Sequence, residues 1–412
     1  WDITVGPDVE AFKSNVRAQF PTASGTSLTK LVDDAFDISR RLDSLPTYSP
    51  ELVSLWSKLK TSLSTAPRVL RLRNPSTTPA EEYLASLFPG EGLAGLRAAL
   101  YMLAPIPGMP SIGLLAILGT GLRGRLYAPR GGSQVLADAF AEAARRNGAE
   151  IMCARRVVSI LTEGRQVRGV SLDDRTELRA PSVVSAADAK QTCYRMLGSD
   201  RVPESYKKML EAQPVSEPYG LISLATTLEP ATFGFDATDV FVCPSNDVPR
   251  ALESKEPEDC FFLLAFPQYR EAGSDPTLRA IQIVVPAAYA WREHWETWPT
   301  PERGREYYAL KKEWSDTIIA RAQEYLPRLS SHLAEVDVAT PITFYRYTLN
   351  TDGAPVGWHY SSRRRWKQRI PFLRGLYQAG HWVGPSGAVP TTRSGKWAAE
   401  LVLADQAKAK SA

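Results

Sequence analysis

The 412 residues include only four cysteines and four histidines. Cys153, Cys193, Cys243 and Cys260 are scattered with no CxxC or metal spacing, which argues against a zinc ribbon or a disulfide-stapled scaffold and points to a reduced, cytoplasmic setting. Charge of one sign is also scarce. The formal net charge is +4 and the one block of like charge is Arg363 to Arg365, so no nucleic-acid partner is expected. That triplet reads as a solvated loop or as a contact for phosphate or a membrane surface. Long apolar runs are missing as well: the best, Leu96 to Leu118, is broken by Arg97, Pro105, Pro107 and Pro110, which excludes a spanning helix. Within it, Leu100, Met102, Leu103, Ile106, Met109, Leu114, Leu115 and Ile117 read either as the greasy surface of a peripheral membrane protein or as the wall of an apolar tunnel. No signal peptide is visible and the first residue is Trp, so the chain is expected to be part of a longer translated product.

What is present supports two domains and a substantial core. Residues 1–122 read as helices with proline breaks, from Val9, Phe12, Val16 and Phe20, then Leu31, Phe36, Ile38 and Leu42, then Leu52, Leu55, Trp56 and Leu59. Over 123–200 the pattern alternates between β and α. Ser133 caps a helix that Asn147 and Gly148 end, EIMC from Glu150 starts a strand, Val157–Leu161 and Val167–Leu172 form a hairpin, and Ser182–Ala186 is a strand ending at Asp188. Residues 201–339 mix strands at Gly220–Thr226, Cys260–Phe266 and Ala280–Pro286 with a helix from Glu302 to Tyr325. Residues 340–412 return to the α/β style, with Arg346 read as a strand residue between Tyr345 and Tyr347.

The most informative segment runs from Gly375 to Leu403. Leu376 to Ala379 form a compact apolar run ending at Gly380, which suits a buried strand opening onto a ligand crevice. Gly384, Gly387 and Pro390 suit an open loop, and from Ser394 the pattern is helical, with the helix N-terminus favouring an anionic or electron-rich ligand edge. A strand, loop and helix used only for packing is the alternative. Gly119, Gly121 and Gly124 also spell GxGxxG after an apolar run. No helix opens there, because Tyr127, Pro129, Gly131 and Gly132 follow at once, so this run is a decoy.

Three blocks, Tyr127 to Asp188, TPITFYRYTLNTDGAPVGW from Thr340, and the Gly375 segment, resemble the phytoene desaturase family, closest to its carotenoid desaturase and isomerase branch. The resemblance implies an α/β fold in which an FAD-binding Rossmann-like domain is interrupted by a mixed α+β substrate domain with a helical lid region. It also implies FAD as cofactor and an apolar, polyene-like small molecule as substrate. The family opens with a strand, GxGxxG and an acidic residue, and Trp1 aligns after that opening. The first half of the dinucleotide site is therefore expected from a segment truncated from the chain or from a second polypeptide, or the cofactor has been lost.

Carried over residue by residue, Gly131 and Gly132 match the family's glycine pair and Val157 the strand position that meets the adenine. Ala186, Ala187 and Asp188 match the strand end beside the cofactor, and Gly387, Ala388 and Val389 the loop along the flavin ring. Gly380 matches the ribityl contact, and His381 departs from the small or acidic residue usual after it. With flavin as the reagent, the protein needs only to position a substrate, exclude water and supply one base or aromatic. Trp358, His359, Tyr360, His381 and Trp382 are the candidates, each with packed aromatic or satisfied core histidine as the alternative; Arg346 reads as an ion-paired residue first. Trp291, Trp295 and Trp298 beside His294 read as lid packing or a membrane edge. Two rival readings remain: a non-catalytic scaffold that keeps the fold, and a flavin amine oxidase relative.

Overall fold

The computed structural model describes residues 3–43, 49, 51–52, 77–106, 108–235, 239–267, 275–287, 303–359, 367–384 and 387–411. The expectations for Leu55, Trp56 and Leu59, for the Trp291 to Trp298 cluster, for Tyr360 and for Arg363 to Arg365 lie outside these residues. The chain divides into two compact units. One comprises Trp1–Leu45, Leu63–Ala143 and Tyr219–Thr340, and the other Pro46–Ser62, Ala144–Pro218 and Pro341–Ala412.

The first unit begins with helices α1 (Val9–Gln19) and α2 (Gly25–Asp43). Asp8 caps α1 by accepting the Ala11 N–H at 2.9 Å, and the expected apolar stripe places Phe12 and Val16 inside. After α3 (Ala80–Leu87) and α4 (Ala94–Tyr101) comes α5 (Ser111–Leu122), which packs against α2. The approach is close because a Cβ on Gly119 would fall 2.1 Å from the Ala35 carbonyl oxygen. The GxGxxG run thus begins inside α5 and closes in the turn after it, where the φ of +61° at Gly124 lets the Arg125 N–H reach back to the Thr120 carbonyl at 3.0 Å.

The greasy surface expected around Leu100 is largely core. Leu100, Met102, Met109, Leu114 and Leu115 are buried and Ile117 alone is exposed, since the run is broken into α4 and α5 and both contribute to the helical core. Among the described residues no helix is long and apolar enough to cross a membrane. Helix α6 (Gln134–Arg146) forms as Ser133 and Gly148 predict, and none of its residues is buried.

In the second unit β1 (Val157–Glu163), β2 (Gln166–Leu172) and β3 (Glu177–Arg179) form an antiparallel meander. The short strand β4 (Val183–Ser185) and the eight-residue helix α7 (Glu204–Glu211) follow. The strand expected at EIMC is absent: Ile151 and Met152 are exposed and non-strand, because a parallel strand needs a hydrogen-bonded neighbour and none of the described strands supplies one.

The first unit then resumes with β5 (Tyr219–Thr226), β6 (Val240–Val242), α8 (Val248–Glu253), β7 (Phe262–Ala265) and β8 (Arg279–Pro286). Helix α9 (Arg305–Ala322) and β9 (Leu333–Ala339) complete it. The strands form one antiparallel sheet in the order β6-β7-β8-β5-β9. Strict alternation buries Ile222 and Leu224 of β5 and Ile281, Ile283 and Val285 of β8 on one face. Gly220 makes room there for the Trp314 ring of α9, which a Cβ would strike at 2.3 Å.

The second unit closes with α10 (Pro341–Thr348), β10 (Leu376–Gln378) and α11 (Ala388–Ser411). Arg346, expected in a strand, is an exposed residue of helix α10, because Pro341 is preorganised for a first helical turn and the aromatic run that follows was read for its β-propensity. The core of this unit gathers Ile160, Val167, Cys193, Leu210, Trp358, Leu376 and Trp382.

Candidate functional site

Strands β4 and β10 run parallel, with Leu376 opposite Val183, Tyr377 opposite Val184 and Gln378 opposite Ser185. Their carboxyl ends therefore open side by side, the arrangement that creates ligand crevices in α/β sheets. The Ala379 N–H still donates to the Ser185 carbonyl at 2.9 Å, and the chains then part at Ala186 and Gly380. Gly380 has a φ of +86°, and a Cβ there would face the Ala186 carbonyl oxygen at 3.5 Å. β4 bonds to β10 alone among the described strands, and Val184 is 45% exposed.

Asp188, almost fully buried, organises the ground below these ends. Its Oδ1 accepts the Gln191 N–H at 2.8 Å and its Oδ2 accepts the Thr351 N–H at 2.7 Å. It thereby caps the helical turn that begins at 189 and fastens the segment after α10. Thr192 donates its hydroxyl to the Asp188 carbonyl at 2.8 Å and lies 2.7 Å from the Ser185 Oγ. Charge-assisted bonds of this kind contribute roughly 1.5–3 kcal/mol each, so Asp188 is a fastening residue with both carboxylate oxygens engaged.

Three ring residues stand beside it. Trp358 and Trp382 meet edge to face with centroids 4.9 Å apart, and the Trp358 Nε1–H donates to the Trp382 carbonyl at 2.9 Å. The His381 ring packs on Trp382 at 5.4 Å. Trp358 is positioned by the preceding glycine: Gly357 has a φ of +81°, its carbonyl accepts the Ser216 N–H at 2.8 Å, and any Cβ would fall 2.5 Å from the His381 carbonyl oxygen. Burial pushes the His381 imidazole below its ordinary value, partly offset by the negative charge of Asp188; burial does the same to His359. Both rings are thus held neutral near pH 7.

The expected open loop after Gly384 is shorter than the sequence suggests, because α11 starts at Ala388. Pro390 sits in the first turn, where proline is tolerated, and the Thr391 N–H donates to the Gly387 carbonyl at 3.1 Å. Gly387, Ala388 and Val389 are exposed at this helix N-terminus. Ser394, read from the sequence only as the start of the helical pattern, joins helix to strand end: its Oγ accepts the Gly380 N–H at 2.7 Å and its hydroxyl donates to the Thr391 carbonyl at 2.7 Å. Arg369 forks onto Asp405 of α11 with two bonds of 2.8 Å, and the Tyr377 hydroxyl of β10 donates to the same carboxylate at 2.9 Å. Arg369 holds the Asp405 carboxyl below its usual range, and burial with Asp405 pushes the Tyr377 phenol to about 12.

The structure brings together Ala186, Asp188, Trp358, Gly380, His381 and Trp382 of the expected residues, with Gly387, Ala388 and Val389 tied in through Ser394. Val157 instead opens β1, where it lies opposite Leu172. Gly131 and Gly132 belong to the first unit and both adopt positive φ. Sequence reasoning also missed a second GxGxxG, at Gly90, Gly92 and Gly95. It follows helix α3 instead of a strand, and Arg97 donates to the Phe88 and Gly90 carbonyls at 2.8 and 2.7 Å, so it is no phosphate loop.

A family model for flavin containing amine oxidoreductases matches residues 28–403. The chain belongs to that family. It is 28% identical over 291 residues to the chloroplastic prolycopene isomerase of Arabidopsis thaliana, covering 68% of this chain and 46% of that protein. It is 25% identical over 292 residues to the all-trans-retinol 13,14-reductase of Macaca fascicularis, covering 65% and 47%. The chain thus spans about half the length of the curated relatives it matches. A triple mutant of putrescine oxidase aligns over 93% of this chain and 75% of its own, with a TM-score of 0.57 at 12% identity. An oxidoreductase from Methanosarcina mazei aligns over 84% and 72%, with a TM-score of 0.53 at 16% identity. These two structures share the fold.

Membership makes FAD the cofactor, and the residues fit its flavin end. The Gln378 Nε2 and the Trp382 Nε1 are buried donors with no hydrogen-bond partner among the described residues, a costly condition that an acceptor on a bound ring would relieve. Gly380 leaves a side-chain-free approach, and the N-terminus of α11 presents N–H groups. Neither GxGxxG run provides for the pyrophosphate.

Proposed function

We propose that this chain forms the flavin-side wall of an FAD-dependent oxidoreductase acting on an extended, apolar, polyene-like molecule. The carrying observation is the convergence of the β4 and β10 strand ends with Trp358, His381 and Trp382. Bound FAD supplies hydride acceptance or donation. The protein's share is to orient the substrate, to keep water out with the two indoles, and to handle one proton. His381 is the candidate for that proton, since its neutral imidazole can take one from a carbon adjacent to the one that exchanges hydride. The names of the isomerase and reductase relatives support a polyene over an amine as substrate.

The edge of β4 that pairs with none of the described strands supports a further part of this reading. Parallel sheets are covered on both faces and rarely consist of two short strands, so a strand followed by a phosphate loop, from this polypeptide or from a second one, adds to β4. The test is titration of the chain with FAD, alone and with a polypeptide carrying strand, GxGxxG and helix, followed by visible flavin absorbance and then by anaerobic reaction with a polyene. Flavin bound only with the added segment, and bleached or restored by the polyene, is the expected result. No flavin uptake in either mixture would instead favour a scaffold that keeps the fold. Peroxide release with amines would favour the amine oxidase reading.

A further inference from the structure

In the second unit, below the turn of the β1–β2 hairpin, lies a cleft of roughly 470 Å³, within the range of small-molecule sites. Its floor is apolar: Leu197 and Leu373 are buried, and the Phe372 ring is braced edge-on by Tyr206 at 5.0 Å. Its other notable lining residues are Arg165, from the hairpin turn, and Arg201. Both are exposed, and neither pairs with a carboxylate among the described residues. The hairpin's own acid, Glu163, is taken by Arg168 at 2.7 Å.

Each guanidinium is instead steadied by one neutral acceptor. Arg201 donates from Nη1 to the Thr162 hydroxyl oxygen at 2.6 Å, and Arg165 from Nε to the Phe372 carbonyl at 3.4 Å. A guanidinium carries five N–H donors, so most of both forks stays uncommitted. Two exposed arginines with no carboxylate partner among the described residues, beside an apolar floor, are suited to an oxoanion attached to an apolar body. A carboxylate is saturated by one bidentate fork, whereas a doubly charged phosphate monoester offers oxygens to two.

We infer that the Arg165–Arg201 cleft binds a phosphate monoester with an apolar substituent. Two sources share this chemistry: a soluble phosphate ester and the headgroup of an anionic lipid. The experiment is calorimetric titration of the chain with phenyl phosphate and with inorganic phosphate, together with co-sedimentation on phosphatidylcholine vesicles with and without phosphatidic acid. Saturable binding of phenyl phosphate, tighter than inorganic phosphate, is expected. Arg165→Gln and Arg201→Gln should each weaken it about tenfold, the loss of one charge-assisted contact. Both side chains are exposed, so circular dichroism should show the variants folded.

Arginine-dependent binding to the phosphatidic acid vesicles identifies the lipid source, and binding of phenyl phosphate without vesicle binding identifies the soluble one. Either upholds the inference. Absence of saturable phenyl phosphate binding, an affinity unchanged in R165Q/R201Q, or equal binding of the two phosphates would overturn it.

Discussion

The five-stranded sheet of the first unit and the β4–β10 pair of the second solve the same problem by different physics. The sheet has two central strands of eight residues, alternating apolar faces and a tryptophan laid over Gly220. The parallel pair has three residues per strand and is secured from outside by Asp188, Ser394 and the Arg369–Asp405–Tyr377 group. Apolar burial needs no exact geometry, whereas directional bonds do. A pair of three-residue strands has little area to bury, so it relies on the directional kind.

The contrast can be broken most forcefully at Trp382. Trp382→Ala empties a fully buried site and should cost about 3–5 kcal/mol in urea denaturation, with loss of the near-ultraviolet signal of the indole pair. Asp188→Ala strands two backbone N–H groups and should cost about 3 kcal/mol; a loss under about 1 would show that the carboxylate fastens nothing. In the first unit the comparable weakness is steric. Gly119→Ala should cost about 2 kcal/mol by forcing α2 and α5 apart, read as a lowered midpoint at unchanged slope.

Asp405→Asn removes one charge from a partly exposed fork and should cost about 1 kcal/mol, an effect that fades in high salt. The smallest effect is set by pH. The folded-state values of His359 and His381 lie below 6.5, so the unfolded chain binds their protons first and stability drops as pH falls below that value. The depressed Asp405 adds a second loss below 3.8. Melting temperatures of wild type and His381→Gln across this range check it. A wild-type loss below pH 6.5 no steeper than the variant's would remove His381 from the account.

Much of the first unit was legible because its strands alternate and its helices repeat at the helical period, so that Phe12, Val16, Ile222 and Leu224 point inward as the pattern says. The hairpin at Glu163 was legible from two strand-like runs around Glu163 and Gly164, and the strand before Gly380 from its compact apolar run. Other features were hidden by context. EIMC has the composition of a strand, but composition cannot supply the neighbour that pairing requires. Pro390 suggests a loop, although a first helical turn accepts it equally well. Arg346 sits among β-prone aromatics in a helix that Pro341 starts. For the site, Asp188 and His381 could be picked out as residue types at a strand end. That Asp188 spends its second oxygen on the Thr351 N–H depends on a residue 163 positions away, which no local pattern encodes.

The contact between Gly119 and Ala35 also limits how this chain can drift. Most tight spots in a core can be relieved by trimming the opposing side chain, so the two positions can change in concert. Here the obstacle is a peptide oxygen, which every amino acid carries, and no exchange at position 35 would make room. Any side chain at position 119 therefore meets an atom that mutation cannot remove.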